Sequence, residues 1–114
     1  MVELFGIANC DSMRKARRWL DGHAVVYHFH NYKKEGVDRP LLESWVEQVG
    51  WESLLNKRGT TWRKLPALDR VDVDAGKAIA LLQAHPSMIK RPLLIHNGAI
   101  ELGFSIERYE HIFR

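Results

Sequence analysis

A helix-patterned stretch set between two strand-like runs constrains this chain more than anything else in it. Residues 2–7, VELFGI, are short and apolar, with Val2, Leu4 and Gly6 alternating against Glu3, Phe5 and Ile7. That is the period of a strand. After Cys10, Met13, Ala16, Trp19 and Leu20 recur at three- and four-residue spacing, while Arg14, Lys15, Arg17 and Arg18 fill the opposite face. The spacing predicts an amphipathic helix ending at Gly22. AVVYHFHNY, residues 24–32, is rich in β-branched and aromatic side chains and reads as a second strand. A helix joining two strands of one sheet makes a crossover, so the two strands are expected to run parallel.

The middle of the chain follows a different pattern. DRPLLESWVEQVG has Asp38 as an N-cap, Pro40 in the first turn and Gly50 at the end. WESLLNKRG reads as a short helix closing at Gly59, and GTTWRKLPALDRVDVD as a polar loop. VDAGKAIALLQAHP carries Ala78, Leu81 and Leu82 at helical spacing and stops before Pro86. Strands then return. RPLLIHNGAIEL sets Asn97-Gly98 between two apolar runs, a strong short-range hairpin signal. SIERYEHIF follows, with Ser105 as N-cap and Ile106, Tyr109, Ile112 and Phe113 on one face. The order is therefore β-α-β, a helical insertion, then β-β-α. This predicts an α/β fold in which a mixed four-stranded sheet is flanked by helices on both sides.

A chain of 114 residues with 46% hydrophobic and 27% charged side chains has the size and balance of one globular domain. No apolar run approaches the roughly 20 residues that span a membrane. The start, MVELFGIANC, lacks the basic residues and long apolar segment of a secretory leader. With one cysteine there is no internal disulfide to require an oxidising compartment, so a cytoplasmic location is expected. Net charge is +3, with positive residues bunched on the first helix, at 57–64 and at 90–91. Such clusters are most often solvated faces, and otherwise favour anionic partners. Four tryptophans among basic clusters permit nucleic-acid binding, but Trp19 and Trp45 fall on apolar helix faces and no groove-reading motif is present.

Cys10 stands between the C-terminal end of the first strand and the start of the helix. A free cysteine is more often an inert small hydrophobe. Here, however, unpaired N–H groups and the positive end of the helix dipole would favour a thiolate. Arg14, one turn on, adds positive potential, and Asp11 opposes it unless its carboxylate is turned away. Metal ligation has little support, because a second cysteine, a CxxC and an HxxxH are all missing. His28 and His30 share one face of their strand and read as an ordinary sheet-face pair. No metal is expected. Pro92, preceded by Arg91, opens the third strand either as an edge residue or as a cis proline.

Three stretches in this order and spacing, ANCDSMRKARRWL, LLNKRGTTWRKL and KRPLLIHNGAIELGF, resemble the arsenate reductase-related (ArsC/Spx/YffB) family of the thioredoxin superfamily. More narrowly, they resemble its small bacterial YffB group. The resemblance covers nearly the whole chain, as a single ArsC-like domain over 1–114. It implies a thioredoxin-like core at 1–37 and 86–114 around a helical insertion at 38–85. It further implies that Cys10, preceded by Asn9, is the reactive thiol, that Pro92 is a cis proline beside it, and that Arg91 binds an anionic substrate group. Two further arginines of arsenate reductases fall on Asn56 and near Gly103 here, so neither is retained. Arg58 is near enough to replace the first, with Arg63 helping, and the second has no replacement. Spx redox switches carry CxxC, whereas the position three after Cys10 is Met13.

One thiol cannot complete a dithiol cycle within the chain, so an external thiol must resolve any mixed disulfide. The function expected is a glutathione-dependent thiol–disulfide oxidoreductase. Glutathione would serve as co-substrate, its carboxylates held by Arg58, Arg63 and Arg91. Glutaredoxin is a further candidate donor, the other substrate is a disulfide or an oxyanion, and the chain is expected to be a monomer. The alternatives are arsenate reduction, disfavoured by the missing arginines, and a non-catalytic, Spx-like regulator that binds protein.

Overall fold

The computed structural model describes all residues, Met1–Arg114, which divide into two compact units, 1–31 with 91–114, and 32–90. The first unit contains strand β1 (Val2–Gly6), helix α1 (Asp11–Gly22), β2 (Tyr27–Asn31), β3 (Leu93–His96), β4 (Ala99–Leu102) and α7 (Ile106–Ile112). The sheet order is β2-β1-β3-β4. β1 pairs parallel with β2 and antiparallel with β3, and β3 pairs antiparallel with β4, so the sheet is mixed as expected. Asn97 and Gly98 both take positive φ, 52° and 79°, the pair of conformations a tight I′ hairpin turn requires.

Period-two alternation sorts the β1 side chains. Val2 and Leu4 join Met13, Ala16 and Leu20 of α1, Leu94 of β3 and Tyr109 of α7 in one buried cluster, with Trp19 packed at its margin. Glu3 and Phe5 face the other way. The last helix starts as read, with the Ser105 hydroxyl accepting the Arg108 N–H at 3.2 Å, but Ile106 at its start is exposed. Gly22 is still helical, and Ala24, at φ 56°, makes the turn that leaves α1.

Gly6 closes β1 beneath Met13. A Cβ at Gly6 would stand 2.3 Å from Met13 Sδ and 2.8 Å from its Cε. Met13 is fully buried and has no solvent to retreat into. Gly6→Ala is therefore expected to cost about 1–3 kcal/mol, the usual range for overpacking a core. Urea unfolding should show a lower midpoint at unchanged slope. An unchanged midpoint would mean that Met13 repacks without penalty.

The second unit is helical and runs from Tyr32 to Lys90. It comprises α2 (Tyr32–Glu35), α3 (Arg39–Val49), α4 (Trp51–Leu54), α5 (Thr60–Lys64) and α6 (Ala75–Ala84), with single 3-10 turns at Ala67–Asp69 and Pro86–Met88. Asp38 caps α3 by accepting the Leu41 N–H at 3.0 Å, and Asp74 caps α6 through Lys77 N–H at 2.8 Å. Tyr32, read as the end of a strand, instead begins α2 with its side chain buried. α4 stops well before Gly59, because Leu55 leaves the helix to bridge Ile89, with Asn56 N–H donating to Met88 O and Lys90 N–H to Leu54 O, both at 2.8 Å. The stretch read as a polar loop contains α5, whose Trp62 is buried together with the following Leu65. Leu42, Trp45, Leu54, Ala78 and Leu82 complete this unit's interior.

Candidate functional site

β1 ends at Gly6 and the chain turns through exposed Ala8 and Asn9 to Cys10, the N-cap of α1. Extended backbone at Cys10 (φ −147°, ψ 132°) turns the chain into the helix, and Cys10 O accepts the Arg14 N–H at 2.9 Å. The thiol is half-buried against the margin of the cluster built on Leu4 and Met13. Strand pairing supplies its partner. Phe5 is opposite Leu93, so the residues just before Leu93 run past the end of β1 where Cys10 stands. Arg91 is there, and its Nε donates to Cys10 Sγ at 3.4 Å. The Arg91–Pro92 peptide bond is cis, and the buried Pro92 offers its carbonyl to the Gly103 N–H at 2.9 Å.

Burial pushes the Cys10 thiol pKa up. The Met13 N–H, the Arg91 guanidinium and the Ser12 N–H together outweigh it, so the pKa lies below the ordinary thiol value. Neither N–H closes a full hydrogen bond on the sulfur, but both belong to the unpaired first turn of α1 and favour the anion there. Arg14 is turned elsewhere. Its guanidinium meets Asp11 Oδ1 at 2.5 Å and holds that exposed carboxyl below the usual carboxylate range. Asp11 and Arg14 thus largely neutralise one another, and Arg91 is the cation on the sulfur.

Arg17 is likewise engaged, its guanidinium 4.3 Å over the Phe29 ring and its Nε donating to Tyr27 Oη at 3.1 Å. Arg58 and Arg63 lie in the 32–90 unit. There the Arg63 guanidinium donates to the Arg58 carbonyl, and the Arg58 N–H donates to Asn56 Oδ1 at 3.0 Å. Of the predicted site residues, the first unit therefore brings Cys10, Arg91 and Pro92 together, with Asn9 in the preceding turn. Sequence reading did not find the partner of His28 and His30. That partner is Glu3, the residue directly opposite His28 in the β1–β2 register. The signal was present, since Glu3 and the two histidines hold alternate positions in two strands expected to pair in parallel.

A cysteine at a strand–helix junction of a small mixed sheet, with an arginine and a cis proline beside it, is the arrangement of a thioredoxin-like fold. The ArsC family matches residues 5–112, and the chain belongs to it. Its structure superposes on that of YffB over the whole of both chains, with a TM-score of 0.96 at 46% identity. An arsenate reductase (ArsC) related protein from Brucella melitensis is 50% identical, covering 99% of this chain and 94% of that one, at a TM-score of 0.79. The global transcriptional regulator Spx of Streptococcus mutans is 34% identical over 108 residues, 92% of this chain and 77% of that protein. No helix is long and apolar enough to cross a membrane.

Proposed function

We propose that the chain is a glutathione-dependent thiol–disulfide oxidoreductase acting through Cys10 alone. The observation that carries this reading is the Arg91 Nε donating to a thiol whose pKa is lowered, at the start of a helix. In the first step the Cys10 thiolate attacks one sulfur of a disulfide. A mixed disulfide forms on Cys10, and the other sulfur leaves as a thiolate. In the second step a glutathione thiolate attacks the mixed disulfide, frees Cys10 and leaves as the new disulfide. The resolving thiol has to come from outside because Met13, not a second cysteine, occupies the position three after Cys10, and it is buried. Arg91 favours the thiolate before attack and again as Cys10 becomes the leaving group. Arsenate is the weaker substrate. Asn56, at one of the missing arginine positions, is committed to a local turn, and Arg108, the next arginine in sequence after Gly103, is paired with Glu101.

The test is intact-mass analysis after exposure to oxidised glutathione, together with the pH profile of alkylation. One glutathionyl group per chain is expected, on Cys10, removable by reduced glutathione, with alkylation titrating below the ordinary thiol value of about 8.5. A chain that takes no adduct and titrates at that ordinary value has an inert thiol, and the reading is wrong. A second reading, a protein-binding regulator, is supported by the similarity to S. mutans Spx. It predicts that Cys10→Ser keeps full function in cells.

A further inference from the structure

We propose that Glu3, His28 and His30 form a binding site for one divalent cation of the zinc type, on the sheet face opposite the Leu4 cluster. β1 and β2 run parallel with Glu3 facing His28, and His30 stands two residues further on the same face. Glu3 Oε2 lies 2.5 Å from His30 Nε2 and 3.9 Å from His28 Nδ1. One ligand atom from each of the three residues lies within 4.8 Å of the others.

A tetrahedral ion with bonds of about 2.0–2.2 Å holds its ligand atoms roughly 3.3–3.5 Å apart. The two separations from Glu3 bracket that spacing and the two histidine nitrogens lie within 4.8 Å of each other, so small rotations of the Glu3 and His28 side chains toward His30 would seat the ion. Room for those rotations exists. The His28 side chain is 60% exposed, Glu3 34% and His30 22%. The backbone positions are held by the ladder between β1 and β2, and the His30 ring is held by stacking on Phe5 at 4.3 Å. This places the donors on a rigid element rather than a loop.

A Glu3–His30 hydrogen bond accounts for two of the three groups. It leaves His28 outside hydrogen-bonding distance of the same carboxylate, with its ring stacked 4.2 Å from that of His30. A single cation satisfies all three together. Two imidazoles and one carboxylate select a borderline first-row ion over magnesium or calcium, which prefer all-oxygen sets. Three protein ligands leave a fourth position for water or a small ligand.

The experiment titrates Zn2+ into the full-length Cys10→Ser chain, which removes the only thiol that could compete for the ion. Binding is read by calorimetry, and the histidine ring resonances by NMR. One ion per chain is expected. The rings of His28 and His30 should shift, while those of His23, His85, His96 and His111 stay in place. His28→Ala and Glu3→Gln, each made in the Cys10→Ser chain, should weaken binding at least tenfold. The first truncates a largely exposed side chain and the second keeps its shape, so both are expected to fold. The site is ruled out if no saturable binding occurs below millimolar Zn2+, or if both variants bind as tightly as their parent.

Discussion

Arg91→Ala is expected to slow alkylation of Cys10 at pH 7 by about tenfold and to move its pH profile toward that of an ordinary thiol. Arg91 Nε is the one side-chain donor on the sulfur. A hydrogen bond to a charged group contributes about 1.5–3 kcal/mol, and 1.4 kcal/mol is a factor of ten in the thiolate-to-thiol ratio. The lower end applies, since Sγ is a diffuse acceptor at 3.4 Å and the site is partly open. Stability carries the same signature. The folded pKa of Cys10 is below its unfolded value, so the thiolate stabilises the fold above the unfolded pKa, near 8.5. That contribution fades as pH falls through the folded pKa. Wild type minus Arg91→Ala stability should therefore be larger at pH 9 than at pH 6, measured by urea unfolding. Equal differences at both values would remove Arg91 from the thiolate account and leave it a packing role only.

Leu4→Ala is expected to destabilise the protein by about 2–5 kcal/mol, the range for truncating a buried leucine. Leu4 is 0% exposed at the middle of β1, the strand paired on both sides, and it packs in the cluster shared by α1, β3 and α7. Collapse around the hole is resisted because the β2 and β3 ladders hold the backbone at Leu4, which is registered opposite Phe29 and Leu94. A cost near 3 kcal/mol would lower the melting temperature by roughly 12 °C in a chain of this size. Leu68→Ala, at a side chain 81% exposed, should change stability by less than about 0.5 kcal/mol. Similar melting temperatures for the two variants would contradict a core centred on β1.

Elements with a sustained period were legible. α1, α3, α6 and the Asn97-Gly98 hairpin carry both a periodic apolar face and a stop or cap that acts locally. Elements of one turn were not. Thr60–Lys64 forms α5 although its sequence reads as a polar loop, because a single helical turn is too short to be stable alone and is held by burying Trp62. Tyr32 sits next to β-prone residues and reads as strand, yet its burial places it in α2. The sequence reads as helix through Leu55, whereas in the structure Leu55 leaves α4 and bridges Ile89. Each of these was decided by burial or pairing in the folded chain rather than by the local sequence.

The site divides along the same line. From the sequence alone, Cys10 stands at a strand–helix junction as the one thiol of the chain, with Met13 on the apolar face of the helix that follows. These are local facts, since a cap position, a period and a cysteine count need no long-range contact. Which cation serves the sulfur was a tertiary decision. Arg14 is four residues away and turns to Asp11, while Arg91, 81 residues away, reaches Sγ because Phe5 pairs with Leu93. The same kind of pairing joins Glu3 to His28 and His30, whose alternate positions the sequence shows but whose register only the pairing of β1 with β2 sets. Proximity in this chain is set by strand register, and register is settled only when the alternating apolar faces of β1, β2 and β3 are buried together.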